Sequence, residues 1–213
     1  MQIKDNQKAR FIVIEGIDKS GKDTQARFLC DFLNSQNKKA IITFEPTDNN
    51  FWGRLIHFIL KNRIKLPSLW FQKMYYWDRL CHQKEIKYYL KQGYYVICVR
   101  YFFSTIAYGY YGGLDINKIV RWHKKVIWPR FVIFLDISAQ QAVRRLELEG
   151  GKGEFFEKER KLEKIRQGYF ECIKLFPNLF KTIDGERSKE EIFKEVLETF
   201  NNFIIADSLT KKE

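Results

Sequence analysis

Phe11-Ile12-Val13-Ile14-Glu15-Gly16-Ile17-Asp18-Lys19-Ser20-Gly21-Lys22-Asp23-Thr24-Gln25 decides the fold. Four apolar residues in a row read as a short buried strand. Gly16 and Gly21-Lys22 then fall at the spacing G-x-x-x-x-G-K. The residues after Thr24 carry Ala26, Phe28, Leu29, Phe32 and Leu33 on one side of a helix over 24–35. Strand, glycine-rich bend and helix in that order are the context a phosphate-binding loop requires. The glycines let the chain curl so that several N–H groups point inward. The helix adds the positive end of its dipole, and Lys22 adds a point charge for β- and γ-phosphates. Gly16, Asp18, Lys19, Ser20, Gly21 and Lys22, with Asp23 and Thr24 opening the helix, are the expected cradle for the nucleotide.

Outward from the loop, apolar runs alternate with helical spacing. Strands are expected at 40–44, 95–99, 131–135 and 180–183. Helices are expected at 55–61, 69–92, 139–149, 157–175 and 188–203, with Ser188 and Glu191 as a capping box. The pattern predicts an α/β fold of the P-loop NTPase kind: a parallel sheet of about five strands with helices on both faces. No linker or repeat divides the chain, so one domain over 1–213 is expected. Gly150-Gly151-Lys152-Gly153 lies between two charged helices and marks a small helical lid at about 146–158.

Composition limits the function classes. Hydrophobic residues make up 45% and charged residues 30% of 213, which fits a globular protein with a substantial core. No stretch approaches the roughly 18 apolar residues of a membrane span. The polar start of the chain lacks a secretory apolar run, so the cytoplasm is the expected compartment. Four widely spaced cysteines form no C-x-x-C pair and read as buried reduced thiols. A net charge of +12 draws phosphates of any kind. The basic residues are dispersed, which argues against a nucleic-acid partner.

Residues 11–25 resemble the opening of thymidylate kinases, whose loop reads E-G-x-D-x-x-G-K-[ST]-T-Q. Further landmarks follow in that family's order. Phe44-Glu45-Pro46-Thr47 is similar to the R-E-P segment, and Tyr75-Tyr76-Trp77-Asp78-Arg79 to F-x-x-[DN]-R. Val99-Arg100-Tyr101-Phe102-Phe103-Ser104-Thr105-Ile106-Ala107-Tyr108 resembles D-R-Y-x-x-S-x-x-A-[YF], and Glu154-Phe155-Phe156-Glu157 the lid D-R-[FYI]-E.

The resemblance implies transfer of the ATP γ-phosphoryl group to dTMP, with Mg²⁺, in a homodimer. It implies that Lys22, Lys19 and Arg100 are catalytic and that Arg145 lies near adenine. Asp18, Glu45, Tyr75, Arg79, Arg100, Ser104, Tyr108 and Phe156 would contact the acceptor, and Asp23 and Glu45 the metal.

Four positions depart from the pattern. Asp23 stands for the hydroxyl residue after Gly-Lys, Phe44 for the arginine of R-E-P, Val99 for the aspartate before Arg100, and Phe155 for the lid arginine. The family places a catalytic cation either in the loop or in the lid, so Lys19 is the expected source here, with Lys152 as an alternative. Two other readings stay open. The acceptor could be dUMP or a deoxynucleoside, or the chain could bind nucleotide or nucleic acid without turnover.

Overall fold

The computed structural model describes residues 9–150 and 155–209. Five strands, β1 (Phe11–Glu15), β2 (Ala40–Phe44), β3 (Tyr95–Val99), β4 (Phe131–Asp136) and β5 (Phe180–Asp184), form one sheet in the order β2-β3-β1-β4-β5. Every pairing is parallel, and Val13 lies between Cys98 and Val132. Parallel strands need crossovers, and helices supply them. These are α1 (Lys22–Ser35), α2 (Phe51–Lys61), α3 (Ser68–Lys91), α4 (Phe102–Tyr111), α5 (Ile116–Trp122), α6 (Ala139–Leu148), α7 (Phe155–Leu175) and α8 (Lys189–Leu209).

Alternation along β1 splits the core in two. Phe11 and Val13 face a cluster with Ile86 and Leu90 of α3, Phe102 and Ile106 of α4, and Ile165 and Tyr169 of α7. Ile12 and Ile14 face Ala26, Leu29 and Leu33 of α1 and Ile192, Val196 and Phe200 of α8. The strand that carries the phosphate loop is therefore buried on both faces, as a central parallel strand must be.

The structure differs from the sequence reading in the start of α2, in the end of α8, which runs to Leu209 rather than 203, and in two unexpected helices. Helix α2 begins at Phe51 rather than Leu55, because the Asn50 side chain accepts from the Trp52 and Gly53 amides and caps it. Helices α4 and α5 have no counterpart among the expected elements. The Ser188–Glu191 capping box is present: Glu191 N donates to Ser188 Oγ at 3.3 Å and Ser188 N to Glu191 Oε2 at 3.0 Å. Of the cysteines, Cys30, Cys98 and Cys172 are buried, but Cys81 on α3 is exposed. Of the expected lid, Gly151–Glu154 lie outside the described residues, as does the side chain of Phe156. Among the described residues, no helix is long and apolar enough to cross a membrane.

Helices α4 and α7 meet at Gly168. A Cβ there would stand 2.7 Å from both Cα and O of Ala107, which real packing does not permit. Gly168→Ala must push the two helices apart and should lower stability by about 1–3 kcal/mol, the range for overpacking a tight core. Chemical denaturation measures it, and a midpoint equal to that of the parent would contradict the close packing.

Candidate active site

Gly16 can carry no side chain: a Cβ would meet Ser20 Oγ and sit 2.9 Å from the Leu135 carbonyl. Lys19 takes the left-handed conformation, with φ 66°, and Gly21, with φ 90°, is the residue from which α1 starts. The bend between them closes around a cavity of about 690 Å³. Asp18, Lys19, Ser20, Gly21, Lys22, Asp23 and Thr24 line it from the loop, and Arg145 lines it from α6. Every expected cradle residue except Gly16 therefore lines one cavity.

Within it, Lys22 is buried and its ammonium reaches the Ile17 carbonyl at 3.3 Å. Burial and the nearby Arg100 guanidinium lower its pKa to about 8, against the pull of Asp18, Asp23 and Glu15. Ser20 Oγ is buried without a partner. Lys19 forms an ion pair with Glu149 at the end of α6. Arg145 donates to the carbonyls of Lys19 at 3.0 Å and Gly185 at 2.8 Å, and so ties the loop to the segment after β5.

A second cavity, of about 700 Å³, opens beside the first. Asp18, Tyr75, Arg100, Ser104 and Tyr108 all line it. Arg100 follows β3 in the left-handed conformation, with φ 64°. That turn aims its guanidinium at the phosphate loop, where it pairs with Asp18 and donates to the Gly16 carbonyl at 3.3 Å. Its guanidinium also lies 5.6 Å from the Tyr108 ring centroid. Partial desolvation opposes ionisation of Asp18, yet Arg100, Lys22, Lys161 and Lys19 hold its carboxyl below the usual range. Burial pushes the Tyr75 hydroxyl up to about 12 and the Tyr108 hydroxyl higher still, so both remain protonated.

Glu45 and Arg79 are placed differently from expectation. Both are fully buried and neither lines the cavity of Tyr75 and Arg100. Arg79 Nε donates to Glu45 Oε2 at 2.7 Å, and its Nη1 donates to Thr105 Oγ1 at 3.2 Å and to His123 Nε2 at 2.8 Å. His82 Nδ1 lies 3.1 Å from the other carboxylate oxygen. Glu45 Oε2 is taken up by Arg79 and Oε1 faces His82, so the carboxylate is engaged by this buried network. Glu45, His82 and Cys98 do offer ligand atoms within 4.8 Å of one another, but Arg79 already balances the carboxylate. Asp23 fits the metal expectation better: it is exposed at the start of α1, beside Thr24, on the cavity that holds Lys22. Val99 is buried among apolar neighbours and leaves no carboxylate at its position.

Two residues that the sequence reading passed over organise the acceptor side. Glu15 is fully buried. Its Oε1 accepts from the amides of Tyr101 at 2.7 Å and Ser104 at 3.2 Å, and its Oε2 from Ser104 Oγ at 2.7 Å and Tyr169 OH at 2.9 Å. Burial raises its pKa, while Arg100 and these donors favour the carboxylate. A lone glutamate at a strand end and a lone tyrosine on a charged helix carry no local signal of this contact.

The comparisons with known proteins agree with this geometry. The thymidylate kinase family model matches residues 14–196. A probable thymidylate kinase of Pyrococcus horikoshii is 32% identical over 197 residues, covering 88% of this chain and 93% of the relative. One from Methanococcus aeolicus is 34% identical over 196 residues, covering 88% and 94%. The crystal structure of thymidylate kinase from Ehrlichia chaffeensis superposes with a TM-score of 0.71 at 26% identity, covering 90% of this chain and 97% of that one. The family model spans most of the chain and relatives above 30% identity cover 88% of it, so the chain belongs to the thymidylate kinase family.

Proposed function

We propose that the protein transfers the γ-phosphoryl group of ATP to dTMP, giving dTDP and ADP. The observation that carries the reading is the adjacency of the two cavities, with Lys22 in one, Arg100 in the other and Asp18 bordering both. Phosphoryl transfer asks a protein for alignment and for cancellation of charge on the moving group. The loop amides and Lys22 bind the triphosphate. Arg100 binds the acceptor phosphate, and Asp18, its ion-pair partner, borders the acceptor beside it. Tyr75 and Tyr108 flank the nucleoside, and Ser104 orients it. Mg²⁺, held through Asp23 and Thr24 when bound, supplies neutralisation of the β- and γ-phosphates. Closure of the lid at about 146–158 excludes water that would otherwise hydrolyse ATP. One domain spanning the chain, a cytoplasmic location and a homodimer complete the proposal. Phe51, Phe58 and Trp70 expose large apolar surface on α2 and α3, a face suited to a second copy.

A coupled assay with ATP, Mg²⁺ and dTMP, dUMP or thymidine should show ADP formation fastest with dTMP. No acceptor-dependent ADP formation would end the kinase reading. Lys22→Ala should abolish turnover with the fold intact. Arg100→Ala should lower kcat/KM for dTMP by about a hundredfold while the KM for ATP stays nearly constant, as loss of one charge-stabilising donor does.

The pH dependence has a definite sign. Lys22 titrates at about 8 in the free protein, and an arriving triphosphate favours its charged form. Binding therefore takes up a proton above pH 8, and affinity falls as pH rises through that value, by at most about tenfold per pH unit. Titration of a non-hydrolysable ATP analogue between pH 7 and 9.5 measures the slope. It should vanish in Lys22→Arg, whose charge does not titrate there.

A further inference from the structure

Two residues, Asp18 and Lys161, border both cavities. A phosphoryl group that passes from one nucleotide to the other crosses the space between the cavities, so a cation at that border meets it in transit. Lys161 lies on α7, with its ammonium 5.8 Å from the ring centroid of Tyr111 in the acceptor cavity. It is solvent-exposed and near enough to Asp18 to favour that carboxylate.

The other cations are placed elsewhere. Lys19 and Lys158 line the donor cavity alone, and Lys19 is turned to Glu149. Arg145 is occupied by two backbone carbonyls. Arg63 and Lys65 line the acceptor cavity alone. Helix α7 also fixes where Lys161 stands. Eight residues further along it, Tyr169 donates to Glu15 at 2.9 Å, so the helix is anchored about 12 Å from Lys161 by its rise per residue.

We propose that Lys161 supplies the cation that stabilises the transferring phosphoryl group, the task that the sequence resemblance gives to Lys19; the proposal rests on the kinase reading above. In the step, an acceptor phosphate oxygen bonds to the γ-phosphorus as the bridging Pβ–O–Pγ bond breaks. The electron pair of that bond leaves on the β-phosphate of ADP. Negative charge spreads over the three equatorial oxygens of the moving group, and Lys161 meets it from the α7 side while Lys22 and Arg100 hold the two ends. A cation that acts chiefly in the transition state raises kcat and leaves ground-state binding nearly unchanged.

The test compares Lys161→Met, Lys161→Arg and Lys19→Ala with the parent protein, all checked for folding by circular dichroism. Lys161→Met should lower kcat by about a hundredfold, with KM for ATP and dTMP changed by less than about threefold. Its affinity for adenosine and thymidine joined through a pentaphosphate, which spans both cavities, should fall at least about tenfold, while ADP and dTMP bind as before. Lys161→Arg should recover most of kcat, and Lys19→Ala should lose less than Lys161→Met. If the parent makes dTDP and Lys161→Met keeps kcat within about twofold, the Lys161 proposal falls and the kinase reading stands. A larger loss in Lys19→Ala than in Lys161→Met would likewise return the task to the loop. A parent protein that makes no dTDP would overturn the kinase reading, and this proposal with it.

Discussion

The carboxylate of Glu15, buried at the C-terminal end of the central strand β1, is the constraint on which the site depends. Four donors converge on it from two other segments: the Tyr101 and Ser104 amides and the Ser104 hydroxyl from one, and the Tyr169 hydroxyl from the other. Each would cost about 1–3 kcal/mol if left buried without a partner, so each segment is held where the carboxylate is. Glu15 immediately precedes the phosphate loop, Tyr101 and Ser104 begin α4 just after Arg100, and Tyr169 belongs to α7. One buried charge thus sets the donor loop, the acceptor clamp and the helix of Lys161 in register. The left-handed turn at Arg100 fits the same plan. It lets the Tyr101 amide point at Glu15 while the guanidinium reaches Gly16 and Asp18.

A second buried network supports the acceptor wall from behind. Glu45 balances Arg79, His82 Nδ1 meets the other Glu45 oxygen, and His123 Nε2 accepts from Arg79. Burial and the Arg79 charge lower the pKa of His123 to about 3, so it is neutral. Its Nδ1–H donates to the Ile119 carbonyl at 2.7 Å and leaves Nε2 to accept from Arg79. Asp78, the neighbour of Arg79 on α3, accepts from the Thr47 amide at 3.0 Å and from its hydroxyl at 2.6 Å. The Glu45–Thr47 segment is therefore pinned to α3 on two sides. Breaking one member of a buried pair strands the other charge, which accounts for the completeness of the network. Arg79 touches the wall of the acceptor cavity through Thr105, which lines that cavity.

The parts of this arrangement that sequence reading reached are the local ones. A phosphate loop is defined within a dozen residues, and β1, β3 and β4 are apolar runs, so both are visible without tertiary knowledge. Helix α4 escaped because Phe102 to Ala107 are all buried. A helix covered on nearly every side has no polar face to give a 3.6-residue rhythm. Tyr75 and Arg79 share one helix face by spacing, yet one lines the cavity and the other is engaged beneath it. Spacing along α3 does not reveal that Glu45 and His123 wait for the guanidinium. Lys161 sits in a run of alternating charges from Glu157 to Lys164 that reads as a solvated helix surface. Only the folded chain shows that one of those lysines borders two cavities.

The substituted positions make sense as one electrostatic balance. Val99 removes a carboxylate from the neighbourhood of Arg100, and Glu45 is committed to Arg79. Lys22, Arg100, Lys19 and Lys161 then gather around Asp18, with Asp23 at the helix start and Glu15 in the interior. Burial first, and then the Arg100 guanidinium, disfavour the charge on Lys22 and lower its pKa to about 8. A triphosphate and an acceptor phosphate bring the missing negative charge and relieve the crowding. The free site is therefore incomplete electrostatically, and its complement is a pair of phosphate chains meeting where Asp18 and Lys161 face both cavities. The same balance explains how a loop with aspartate after Gly-Lys remains suited to a triphosphate, since the added carboxylate stands among cations rather than alone.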